Sequence, residues 1–358
     1  MKTNFIIVAC IIAAFSFGGC RTKENFDFKV KIVPQTYNSV TNLSDVNKAA
    51  EVINKRLIYF FEIPQENIKL DIVEPQILLT LHNIDTSKVR LITNVITSNN
   101  TLELWETYEN SEIIGYLTKA DNLLRAMRSP GSTLKEEKQP NPDLTGKSTV
   151  KTAVLDSRKQ FSDQNPLFSI LGPRLTTTGE PLPSCMIGLA NEKDTSMVNS
   201  YLKMDKIKPL FPNDLKFCWD SNPYKYDPSK ALYGLHAIKV TTANRRAPLD
   251  GSVIISAKPI TGPSKSDIKI DLTMNAEGTI TWARITRENV NRCIAVVLNG
   301  YVRSYPRVMD EISGGNTEIT GDFTLEEAND LVNILKSGEL PFELKIIEEQ
   351  IIKGINSK

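Results

Sequence analysis

The chain has 358 residues, enough for two or three domains of ordinary size. Hydrophobic residues make up 41% and charged residues 24%, an ordinary globular composition with material for a sizeable core. Lys and Arg number 43 against 42 Asp and Glu, so the formal net charge of +1 excludes the broad basic field of a nucleic-acid binder.

Met1-Lys2 is a short positive start, Phe5 to Phe17 is mostly apolar, and Gly18-Gly19 precedes Cys20. The apolar run is shorter than the roughly 18 residues of a membrane span, so residues 1–19 read as a secretory signal peptide. The F-G-G-C ending resembles a bacterial lipobox, with Cys20 as the lipidated first residue of the mature protein. The rival reading is an uncleaved signal anchor. Both leave the bulk of the chain outside the cytoplasm and tethered to a membrane.

Phe26, Phe28, Val30 and Ile32 alternate as a strand, and Leu43 to Phe61 reads as a helix capped by Ser44 or Asp45. Strands follow at 67–73 and 76–82. A helix capped by Asp85 comes next, then a strand from Thr101 to Glu106. This βαββαβ order predicts a ferredoxin-like base over 26–110. A helix is expected over 113–127, and the polar segment of about 129–165 reads as a loop without fixed structure. Further strands are expected at 185–189, 215–219, 232–241 and 267–274, with helices from Asp194 to Met204 and from Asn275 to Arg292.

The run from Ala295 to Glu349 carries the densest local signals. Asn299-Gly300 separates two apolar strands as a two-residue hairpin turn, and Pro306 ends the second strand. Thr317 to Thr320 alternates as a strand. Thr324 stands three residues before Glu327, the spacing of a capping box, and Leu325, Ala328, Leu331, Val332 and Leu335 form one apolar stripe. Gly338 occupies the helix C-cap position, and Pro341 bars continuation.

That arrangement resembles the first periplasmic domain of SecD-type protein-export components, including the fused SecDF form. The elements carrying the likeness are Asn299-Gly300, Ser304-Tyr305-Pro306, Ile312-Ser313-Gly314-Gly315, Ile319-Thr320-Gly321-Asp322-Phe323, Glu326-Glu327-Ala328 and Leu335 to Pro341. Ala247-Pro248-Leu249, Thr286 to Val290, Val52 to Leu57, Pro75 to Leu81 and Thr101 to Leu104 extend it. Leu81-His82-Asn83 departs from the family's L-P-G. The resemblance implies an α+β fold: the base over 26–110, a large inserted α+β head over 111–339, and a base strand returning at 340–352. It implies a non-enzymatic envelope module facing the periplasm, lipid-anchored to a membrane, whose partners are Sec translocon subunits and unfolded secreted polypeptides. The family's bundle of membrane helices is not in this sequence. The alternative keeps the fold with an unrelated partner.

Few residues invite a chemical role. His82 and His236 have no second ligand at a metal-binding spacing, and no C-x-x-C exists. Cys185 and Cys218 read as small buried hydrophobes or, in an oxidising envelope, a disulfide; Cys293 reads as core. Gly314-Gly315 lacks the Lys and Ser/Thr of a phosphate loop. No catalytic, cofactor-binding or metal residue is therefore assigned, no cofactor or nucleic acid is expected, and the polypeptide-binding residues stay unknown. The loop from Arg303 to Asp310 and the segment 129–151 are the places to look.

Overall fold

A computed structural model describes residues 26–36, 42–98, 101–128, 160–263, 268–321 and 323–353. Cys20 and the segment 129–151 lie outside the described residues.

Four antiparallel sheets carry the molecule. The first holds β1 (Phe26–Pro34), β2 (Ile68–Val73), β3 (Gln76–Ile84) and β15 (Leu344–Lys353), in the order β15-β1-β3-β2. Phe28, Val30 and Ile32 point from β1 into a core completed by Val46, Ala49, Ile53 and Leu57 of α1 (Leu43–Phe61) and by Ile92 and Ile96 of α2 (Val89–Thr97). The cap of α1 is Asn42, whose side chain accepts from the Asp45 N–H; Asp45 therefore sits in the first turn rather than at the cap. Arg56 of α1 is fully buried and donates to Val95 O at 2.9 Å and Ser98 O at 2.5 Å, so it ties α1 to the C-terminal end of α2. Burial pushes its pKa down to about 10.

Residues 102–106, read from sequence as the last strand of this sheet, are not in it. They form β4 (Leu102–Glu106) of a second sheet, with β9 (Leu249–Asp250), β12 (Ile294–Leu298) and β13 (Tyr301–Ser304), ordered β13-β12-β4-β9. The place beside β1 is taken by β15, from the other end of the chain. The reason is burial. Leu102, Leu104, Trp105 and Glu106 are all covered, which suits a central strand and not a sheet edge. The hairpin between β12 and β13 turns at Asn299 and Gly300 with φ of 54° and 80°, as the dipeptide predicts.

The third sheet is β10 (Ile254–Thr261), β11 (Ile268–Met274) and β14 (Asn316–Thr320), in the order β10-β11-β14. Between it and the second sheet lie α5 (Ala276–Glu288) and α6 (Leu325–Ser337), which share one core with Leu104, Val296, Ile270 and Leu272. Strand β10 was not evident from sequence because Pro259 interrupts it; an edge strand tolerates the missing donor. Helix α6 starts with the expected capping box and packs on α1.

The fourth sheet, β5-β6-β8-β7, comprises β5 (Gly172–Pro173), β6 (Met186–Asn191), β7 (Leu215–Trp219) and β8 (Leu232–Lys239). Helices α3 (Asn110–Arg128) and α4 (Thr195–Leu202) supply its apolar cover. Strand β12 lies between two cores. Ile294, Val296 and Leu298 face the α5 and α6 core, while Ala295 and Val297 face Trp105, Cys218 and Ile238. No helix among the described residues is long and apolar enough to cross a membrane.

Candidate functional site

A groove of about 640 Å³ opens where the end of β13 meets β14. The Ser304 hydroxyl donates to the Thr320 carbonyl, which ties the two strands together at that end. Pro306 then ends β13, and the chain crosses as a loop held at both ends. The Val308 N–H donates to Arg292 O at 2.9 Å, and the Ile312 N–H donates to the Thr286 hydroxyl at 2.9 Å. Between these anchors Met309 stands 69% exposed, too open to be a core residue.

One wall of the groove is apolar, from Trp282, Ile294, Pro306, Val308, Met309 and Ile312. The other is β14, whose Asn316, Glu318 and Thr320 face outward beside Asp271. Strand β14 ends the sheet, so its second edge has no strand partner among the described residues. Such an edge is a template for another extended chain.

The three tryptophans differ in a telling way. The indole N–H of Trp105 donates to Glu103 at 2.9 Å and that of Trp219 to Asn199 at 3.0 Å. Trp282 is 7% exposed, and its indole nitrogen has no acceptor among the described residues. A buried donor left unpaired is costly; the nitrogen is itself covered, while Trp282 lines the groove through other atoms.

The Arg303–Asp310 segment does reach the groove through Pro306 to Asp310, but Arg303 lies by Glu327 and Asp330 instead. Trp282 and the β14 edge were missed. Trp282 sits on the buried face of α5 with Gly278, Ile285 and Thr286, so its sequence signal is that of any core residue.

The histidines occupy unlike places. His82 is surface-exposed beside Asp27 at 3.1 Å. His236 is fully buried, with Nδ1 3.5 Å from the Cys185 sulfur and Nε2 2.7 Å from Asp220 Oδ1. Nucleophile, base and orienting carboxylate thus stand in the order of a cysteine hydrolase. Cys185 has no exposed surface, however, and burial pushes its thiol well up, so the thiol is closed to substrate in this state. No group of three metal-ligating side chains occurs among the described residues. Cys185, Cys218 and Cys293 are all buried free thiols, so Cys185 and Cys218 are not bonded.

Fold and groove together define a multi-sheet module with an open strand edge. Residues 230–342 match the family described as "SecDF, P1 head subdomain". Protein translocase subunit SecD of Rhodothermus marinus is 31% identical over 229 residues, covering 63% of this chain and 35% of that protein. SecD of Leptotrichia buccalis is 41% identical over 107 residues, 29% of this chain and 26% of that protein. The chain thus spans about a third or less of the length of these relatives. A solved structure of "a membrane component SecDF that enhances protein export" aligns with 91% of this chain and all of that one, at 17% identity and a TM-score of 0.47. The chain is similar to SecD translocase subunits, and its residues 230–342 match the model of the SecDF P1 head subdomain.

Proposed function

We propose that this protein is a non-enzymatic envelope module that assists protein export by holding extended polypeptide in the groove beside β14. The observation carrying this reading is the juxtaposition of a free strand edge and an apolar wall. Main-chain groups of a passing chain would pair with the edge whatever its sequence, and the wall would take its apolar side chains. Kinship to SecD supports the export setting and Sec translocon subunits as neighbours. Tethering through lipidated Cys20 belongs to the same proposal.

The fold is part of the reading. The order β15-β1-β3-β2 with two helices supports a ferredoxin-like base whose last strand comes from the end of the chain. We place the boundary between base and head at the 98–101 connection rather than at 110, because β4 pairs in the head. The head then runs to 339.

Photo-crosslinking from position 309 in the native host tests the function. Adducts to many unfolded secreted chains and to translocon subunits are expected. A single recurrent folded partner without translocon adducts would replace export with an unrelated docking role.

A further inference from the structure

The hydrogen-bond register of the third sheet fixes which groups reach its open edge. The Met274 N–H donates to Gly315 O at 2.8 Å, so residues 274 and 315 form a hydrogen-bonded pair. Bonded and non-bonded pairs alternate along antiparallel strands. Leu272 with Thr317 and Ile270 with Ile319 are therefore bonded pairs, while Asp271 with Glu318 is a non-bonded one. Pro259 of β10 lies opposite Ile270 from the other side, where this register asks for no N–H. The main-chain N–H and C=O of Glu318 thus point away from β11, to the edge that has no strand partner among the described residues. The Asp271 and Glu318 side chains stand at the closer of the two cross-strand spacings, two carboxylates directly opposite each other on one face.

Like charges placed so are unfavourable, and the sheet sets cations beside them. Lys258 of β10 is in register with Asp271, and its ammonium lies 3.2 Å from that carboxylate. Lys269 reaches Glu318 from the diagonal position at 3.1 Å. The row across the sheet reads Lys258, Asp271, Glu318 and then the open edge. On the opposing loop, Asp310 adds a third carboxylate to the groove lining. Arg307 is the cation among the lining residues, and its charge is engaged behind the wall. Its guanidinium donates to Asn291 O and, at 3.0 Å, to Pro183 O, and lies 3.6 Å from the Glu109 carboxylate.

We propose that the groove beside β14 selects extended polypeptide with Lys or Arg at the place opposite Glu318 and apolar residues on either side of it. This selection rests on the reading of the groove as a polypeptide site. A strand added to β14 would pair its main chain with Glu318, and its residue opposite would share the outer face with Glu318 and Asp271. A Lys or Arg there completes the row with a cation at its second end. The residues before and after it point to the other face, where Ile319 packs in one core with Trp282, Ile294 and Val308 of the apolar wall. The pattern recognised is apolar, basic, apolar.

The test titrates the full chain into labelled peptides of equal length, Val alternating with Lys, Ser or Glu, and reads fluorescence anisotropy. The Lys peptide is expected to bind about fivefold or more tighter than the Glu peptide, with the Ser peptide between them. Added salt is expected to narrow the spread by screening the row. Glu318→Gln is expected to shrink the spread, and Glu318→Lys to invert it. Equal binding of all three peptides would overturn the charge selection and leave the groove a polypeptide site. Binding of none would overturn the groove reading, and the selection with it. A Lys preference untouched by both Glu318 variants would overturn the assignment to this row.

Discussion

Asp227 shows how one side chain can define a loop. Its two carboxylate oxygens accept from the Ser229 hydroxyl, from the Ser229, Ala231 and Leu232 N–H groups, and so close the turn that leads into β8. These bonds favour the ionised form, led by the Ser229 hydroxyl, and lower the pKa from 3.8 to about 2. A carboxylate depressed in the folded state stabilises above its unfolded pKa and loses that contribution as pH falls through the folded value. Asp227→Asn is therefore expected to lower the urea midpoint at pH 7, and the gap to the parent should close between about pH 4 and pH 2. Urea titrations of both proteins across that range check it. A gap independent of pH would mean that the turn needs the shape of the side chain and not its charge.

Helix α6 illustrates the same logic for an element. Its first turn is closed by Thr324 and Glu327: the Glu327 N–H donates to the Thr324 hydroxyl at 3.1 Å, and the Thr324 N–H donates to the Glu327 carboxylate at 2.9 Å. The other oxygen of Glu327 accepts from Asn222 at 2.7 Å, which ties the helix to the segment after β7. Thr324→Ala is expected to cost about 1 kcal/mol, the ordinary worth of an N-cap. Glu327→Ala loses both contacts and is expected to cost more; chemical denaturation of the two variants ranks them. This cap was legible in the sequence because everything it needs lies within four residues. So was the Asn299-Gly300 hairpin. The destination of β4 was not. A βαββαβ order is satisfied equally by β4 and by β15, and the choice depends on partners far apart in sequence, 188 to 196 residues for β12 against β4 and 310 to 327 for β15 against β1.

At the scale of the whole molecule, the groove exists because β14 ends its sheet with no further strand among the described residues, while the loop after Pro306 supplies the opposing wall. Trp282 gives this arrangement a consequence that a simple core residue would not have. In the free protein its N–H is buried without an acceptor, so removing that donor relieves a penalty of about 1–3 kcal/mol. The nitrogen is covered in the free protein, so a main-chain carbonyl of an incoming polypeptide would accept from it only by displacing that cover, and the penalty would then disappear. Trp282→Phe should thus separate two quantities that usually move together. The cavity left by the smaller ring is offset by the lost orphan donor, so stability is expected to stay within about 1 kcal/mol of the parent. Affinity for an unfolded polypeptide, read by fluorescence anisotropy of a labelled reduced and alkylated chain, is expected to fall by about tenfold. A parallel loss of stability and affinity would make Trp282 a packing residue. Unchanged affinity with unchanged stability would place the polypeptide elsewhere on the head and leave the β14 groove without its assigned occupant.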